Sequence, residues 1–137
     1  MVAIGLVVAE YNRGVTERME EAAHEAARDH DATVVDTHHV PGSYDTPLAA
    51  DRLARRDDVD AVAVLGSIVT GDTDHDQVIG HAAAQALTEV SRDRDTPVTL
   101  GIAGPGMTPS EARGRIEYGA NAVTSAAELV EELEGAE

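Results

Sequence analysis

The chain has 137 residues, with 26 acidic and 10 basic side chains and a formal charge of −16; every basic residue is an arginine. That length fits one domain, residues 1–137, and the absence of cysteine excludes disulfide frameworks, thiolate metal centres, iron–sulfur clusters and cysteine nucleophiles. So acidic a surface also argues against nucleic acid as a partner, because that binding depends on Lys and Arg neutralising phosphates.

In chain order, Val2–Ala9 is an apolar run of strand length. Residues 15–30 follow, with Val15, Met19, Ala22, Ala23, Ala26 and Ala27 at helical spacing. Ala32–Val40 reads as a second strand, stopped by Pro41-Gly42, and residues 47–56 as a short helix opened by Pro47. Residues 60–69 are the most strand-like run, and a helix is expected over 74–91. A fourth strand covers 97–103 and ends in a turn at Gly104-Pro105-Gly106-Met107. Thr108 then caps a helix running to Tyr118, with Pro109 in its first turn, and a last amphipathic helix spans 122–133. Its acidic end, residues 128–137, is expected to fray.

Four apolar strands alternating with helices predict a parallel sheet covered on both faces. With right-handed crossovers this is a three-layer α/β/α sandwich on a four-stranded parallel sheet, flavodoxin-like. The chain has no Phe or Trp and only three Tyr, so Ala, Val, Leu and Ile must fill a finely interlocked core. No apolar run approaches the roughly 18 residues needed to span a bilayer, and residues 1–8 lack the basic start of a signal peptide. The expectation is a cytoplasmic protein with no membrane partner. Abundant Asp and Glu without lysine, in a sequence of regular apolar periodicity, point to adaptation to concentrated salt, where the Debye length falls to about 3 Å.

Ligands of open parallel sheets bind beyond the carboxyl ends of the strands, so the informative loops follow the four strands. The first carries Tyr11 and Asn12, the second Pro41-Gly42-Ser43-Tyr44-Asp45, the third Gly71-Asp72-Thr73-Asp74-His75. The third opens a helix, whose free N–H groups could hold an anion, but Thr73-x-x-Asp76 also fits a capping box. His75 is either a proton shuttle or a surface residue of a first helical turn. Arg113 and Arg115 could each serve an anion or stand as exposed charges, and Tyr11 and Tyr44 could stack on a planar heterocycle or simply pack. Asp72, Asp74 and Asp76 alternate as in a calcium loop, but Gln77 and Ala83 occupy its glycine and glutamate positions. His75 and His81 are six apart and His38 and His39 adjacent, so neither pair puts two ligands on one helical face; no metal is expected.

Taken together, Ala9-Glu10-Tyr11-Asn12, Val40-Pro41-Gly42-Ser43-Tyr44-Asp45-x-Pro47, the run from Leu65 through Gly71-Asp72-Thr73-Asp74-His75-Asp76, and Pro97-Val98-Thr99-Leu100-Gly101-Ile102 resemble the 6,7-dimethyl-8-ribityllumazine synthase family in its archaeal branch, nearly end to end. The resemblance implies an enzyme of riboflavin biosynthesis without cofactor or metal. It condenses 5-amino-6-(D-ribitylamino)uracil with 3,4-dihydroxy-2-butanone 4-phosphate, releasing phosphate and water. It implies that Tyr11 stacks on the pyrimidine, that Ser43, Tyr44 and Asp45 hold the ribitylaminouracil, and that Ser67, Ile68, Val69 and Leu100 line the same pocket. Asp72, Thr73 and Arg115 fall on its phosphate contacts and His75 on its proton-transfer histidine. It further implies a homo-oligomer of pentamers, in some members an icosahedral shell, with sites between subunits and the Leu100 and Arg115 positions donated across the interface.

There are departures: Tyr11 and Leu100 stand where the family usually has Phe, Asp45 where it often has Glu, and Thr70 where it often has Arg. Tyr118-Gly119-Ala120-Asn121-Ala122 replaces a lysine-bearing segment. Two other readings fit some of these residues, an archaeal-type riboflavin synthase on a similar fold and a non-catalytic flavin- or lumazine-binding module. The first has no need of the block from Gly71 to His75, the second no need of His75 and Arg115 together.

Overall fold

The structure, a computed structural model, describes residues 1–135. In chain order it has β1 (Val2–Ala9), α1 (Arg13–Asp29), β2 (Ala32–Val40), a single 3-10 turn (Ser43–Asp45), α2 (Thr46–Ala54), β3 (Ala61–Val69), α3 (His75–Arg94), β4 (Val98–Met107), α4 (Pro109–Arg113) and α5 (Glu117–Gly135). All strand pairs are parallel, in the order β2-β1-β3-β4. That is the doubly wound, flavodoxin-like order, with its switch point between β1 and β3.

The strand sequences explain the order. β3 is buried over its first eight residues and β1 over nearly all of its length, as interior parallel strands covered on both faces must be. β2, whose Asp36, Thr37, His38 and His39 are polar, is buried only at Ala32 and takes an edge. Alternate side chains feed two cores. Ile4, Leu6, Ala63 and Leu65 pack with Met19 and Ala23 of α1 and Val123 and Ala126 of α5. Val7, Val62 and Val64 pack with Leu53 of α2, Leu87 of α3 and Ile102. Both cores are built of small aliphatic groups, as the composition requires.

Three elements differ from the sequence expectation. The helix expected from Thr108 to Tyr118 is broken in two. Thr108 does cap α4, accepting from the Glu111 N–H at 3.1 Å, but the chain turns at Gly114, where Gly114 N–H reaches the Glu111 carbonyl and Arg115 N–H the Ala112 carbonyl, each at 3.0 Å. This redirection lets α5 start at Glu117 and lay Ala122 and Val123 on the core.

Gly104-Pro105-Gly106-Met107 is not a turn but a bulged continuation of β4. Ser67 pairs with Ala103 and Val69 with Met107, so β4 uses two more residues than β3 over the same length. Bulges accept Gly and Pro where regular ladders do not. Gly104 has φ 95°, and a Cβ there would stand 2.1 Å from the Ile68 carbonyl oxygen.

The capping box at Thr73-x-x-Asp76 is not formed: α3 begins at His75, its N-cap is Asp74 without a side-chain cap, and the Asp76 carboxylate turns to β4 instead. At the other end α5 is unbroken to Gly135, so the part of the expected frayed segment within the described residues is helical. Its last two residues lie outside the described residues.

Candidate active site

At the carboxyl edge, backbone pairing brings the first two loops together. Glu10 N–H bonds the Val40 carbonyl at 2.7 Å and Tyr11 N–H the Pro41 carbonyl at 2.9 Å. The loop after β2 then tightens into its 3-10 turn, where Gly42 N–H donates to Asp45 Oδ2 at 3.0 Å and Thr46 Oγ1 to the Ser43 carbonyl at 2.7 Å. Ser43 is thereby buried beside β3, directly over Gly66, where a Cβ would stand 2.6 Å from Ser43 Oγ. Glycine at 66 is what allows this approach.

The next residue, Ser67, is 1% exposed and its Oγ accepts a hydrogen bond from Asn12 Nδ2 at 3.2 Å. Asn12 sits in the left-handed region, φ 62°, as the N-cap of α1, a conformation Asn tolerates better than most residues. Its side chain caps no helical N–H; the amide nitrogen is turned to Ser67 instead. With that lone pair occupied, the Ser67 hydroxyl proton is free to donate elsewhere.

These contacts border a cavity of about 460 Å³. Of the residues singled out in the sequence, Tyr11, Ser43, Tyr44, Asp45, Ser67, Ile68, Val69 and His75 all line it. The two tyrosine rings are exposed at its mouth, Ile68 and Ser67 are buried in its floor, and His75, the first residue of α3, stands exposed at one side. Size, an apolar lining and a few converging polar groups are what a small-molecule site needs.

The remaining four are not gathered there. Asp72 and Thr73 are exposed on the β3–α3 loop between two lining residues, Gly71 and His75. Thr73 Oγ1 accepts from the His75 N–H at 3.2 Å. Leu100, 54% exposed, faces a separate groove of about 320 Å³ with Tyr118 and Asn121. Arg115 sits in the turn between α4 and α5, and among the described residues it forms no ion pair.

Among the described residues no arginine lines the cavity. The nearest in sequence, Arg13, is engaged by Glu20 at 3.0 Å, and His39 contacts the same carboxylate at 3.0 Å. Burial alone would raise the Glu20 carboxyl, but the hydrogen-bonded His39 and the neighbouring Arg13 guanidinium outweigh it and hold the group below its ordinary range. The same described residues hold no cluster of three or more His, Asp or Glu side chains arranged for a metal ion, and no helix long and apolar enough to cross a membrane.

Comparison with known proteins settles the lineage. The family model described as 6,7-dimethyl-8-ribityllumazine synthase matches residues 1–134. The chain belongs to the 6,7-dimethyl-8-ribityllumazine synthase family. A lumazine synthase of Halobacterium salinarum is 68% identical over 133 residues, covering 97% of this chain and all of its own. That of Halorubrum lacusprofundi is 66% identical over 134 residues, covering 98% and 100%. The lumazine synthase of Methanocaldococcus jannaschii is 44% identical over 137 residues, covering 100% and 97%. Among solved structures, a de novo designed Rossmann fold protein aligns at TM-score 0.42 and 19% identity over 85% of this chain and 95% of its own, too distant to bear on the site.

Within this lumazine synthase fold, sequence reasoning gave Asp76, Ile79 and Asn12 no role in the site. Ile79 lies one helical turn after His75 and lines the same cavity, which i to i+4 spacing along α3 would have given. The contacts of Asp76 and Asn12 were hidden for a different reason: each acts through a partner 30 or 55 residues away.

Proposed function

We propose that this chain is a 6,7-dimethyl-8-ribityllumazine synthase acting as a single domain. It joins 5-amino-6-(D-ribitylamino)uracil to 3,4-dihydroxy-2-butanone 4-phosphate and releases phosphate and water. The observation that carries the reading is the family match over residues 1–134, together with one cavity that gathers Tyr11, the Ser43–Asp45 turn, Ser67 and His75.

In this reading Tyr11 stacks on the pyrimidine and Ser43, Tyr44 and Asp45 hold the ribityl-uracil. Ser67 donates its free hydroxyl proton to a ring acceptor, with Ile68 and Val69 beneath. The 5-amino group attacks the ketone and water leaves as the imine forms. Phosphate is then eliminated, the enol left behind tautomerises to a ketone, and the ribityl-bearing nitrogen closes the ring on that carbonyl with loss of a second water. His75 moves the protons, worth roughly 10²–10⁴-fold, and holding two substrates in one cavity supplies much of the rest.

The phosphate falls to Asp72, Thr73 and Arg115, the arginine giving a charge-assisted contact. Among the described residues no arginine lines the cavity, and Leu100 and Arg115 stand outside its lining, which supports the reading that a neighbouring copy donates these two, in pentamers that can build further into an icosahedral shell. The protein works in a cytoplasm of high salt, in keeping with its charge of −16 and its relatives in Halobacterium and Halorubrum.

The test is incubation of the purified protein with both substrates in about 2 M KCl, a salt level at which surface charges are strongly screened. Product is followed by absorbance and mass. Protein-dependent 6,7-dimethyl-8-ribityllumazine above the spontaneous background supports the assignment; none from an assembled, pyrimidine-binding protein overturns it.

A further inference from the structure

The segment that carries His75 is weakly held by its own connection. Residues 70–74 are all exposed, and α3 begins at His75 with Asp74 as an N-cap that makes no side-chain bond. Its first two turns are instead fastened to the bulged end of β4. The Asp76 carboxylate, 5% exposed, accepts a hydrogen bond from the Gly106 N–H at 3.0 Å. One turn later the backbone of α3 lies against Pro105, so that a Cβ on Gly80 would stand 2.7 Å from Pro105 Cδ.

A buried carboxylate is costly unless it is hydrogen-bonded, and a charged acceptor makes a stronger bond than a neutral one. Among the described residues no arginine pairs with Asp76, so its bond to Gly106 is the contact that justifies its burial. Asp76 and His75 line the same cavity.

We propose that Asp76 is a positioning residue for His75: its carboxylate clamps the first turn of α3 to the β4 bulge and so fixes where the imidazole stands at the cavity. This rests on the proton-transfer role given to His75 above. Misplacement of a reacting group by an ångström costs on the order of 10²-fold.

The test compares D76A, D76N and G80A with the wild type, reading kcat, KM for the pyrimidine, and amide exchange at Gly106. D76A should lower kcat roughly 10- to 100-fold with little change in KM and speed exchange at Gly106. D76N keeps an acceptor oxygen and should restore kcat to within about three-fold and keep Gly106 slow. Should D76A fail to fold, G80A displaces Pro105 from the other side and should give the same loss of kcat at constant KM.

Rapid Gly106 exchange in the wild type overturns the clamp whether or not the protein turns over substrate, whereas slow exchange without turnover faults the function alone. The clamp is also overturned if D76A melts lower but keeps its kcat, or if D76N is as impaired as D76A.

Discussion

The two ends of the candidate site are built differently. The end that would take the pyrimidine is assembled inside one chain. Backbone bonds join the loops after β1 and β2, Ser43 is pressed onto Gly66, and Asn12 fixes Ser67. The end that would take the phosphate has an exposed loop at Asp72 and Thr73, no arginine in the cavity among the described residues, and its candidate cation, Arg115, in the turn between α4 and α5, outside the cavity lining. One chain shapes the cavity, while in the proposed reading the phosphate contact is left to a second copy.

The comparison breaks most severely at its junction, His75. His75→Ala should lower kcat by roughly 10²–10⁴-fold, the usual worth of a general acid–base group, with far smaller change in either KM. Steady-state kinetics with each substrate varied checks this, and an unchanged kcat removes the proton-transfer role.

Arg115→Ala should touch only the phosphate end. It should raise KM for the butanone phosphate by the equivalent of about 1.5–3 kcal/mol, as for a lost hydrogen bond to a charged group, while calorimetric affinity for the pyrimidine stays near wild type. Equal losses for both substrates would erase the distinction between the ends.

Gly66→Ala should do the converse. The added methyl meets Ser43 Oγ at 2.6 Å, so overpacking should cost about 1–3 kcal/mol in denaturant unfolding and weaken the pyrimidine before the phosphate substrate. A fully stable variant would show that Ser43 is held more loosely than its burial implies.

The smallest effect lies beneath the site, where Arg94 of α3 reaches Asp51 of α2 at 2.7 Å. The Arg94 guanidinium holds the Asp51 carboxyl below its ordinary range. A depressed folded value means that the stabilisation is present above the unfolded carboxylate's pKa of about 3.9 and is lost as pH falls through the lower folded value. Because the pair is partly solvated, Asp51→Asn should cost only about 0.2–1 kcal/mol near neutral pH, less in molar KCl, and the two proteins should converge in strong acid.

Much of this was legible in the sequence because it is local. Apolar runs of strand length, alternating with helical spacing, predicted the order of elements and so the edge where ligands bind; the loops after two strands, the end of β3 and the start of α3 then held eight residues that line one cavity. What was missed depends on distant partners. The run Gly104-Pro105-Gly106 reads as a turn until β3 is seen to hold it in register. Asp76 reads as a cap until Gly106 is beside it. Gly114 is an ordinary helical interruption until α5 needs redirecting onto the core. Leu100 and Arg115 were named from resemblance, and the fold of one chain does not bring them to the cavity.

Subunit complementation tests the divided site most directly. His75→Ala and Arg115→Ala chains, each impaired alone, are unfolded together, reassembled in equal amounts and assayed with limiting butanone phosphate. If a site draws His75 from one chain and Arg115 from its neighbour, random mixing leaves roughly a quarter of the sites with both native residues, and activity should recover to about that fraction of wild type. If both residues act within one chain, no mixture can hold an intact site, and activity that stays at the mean of the two variants would contradict the account.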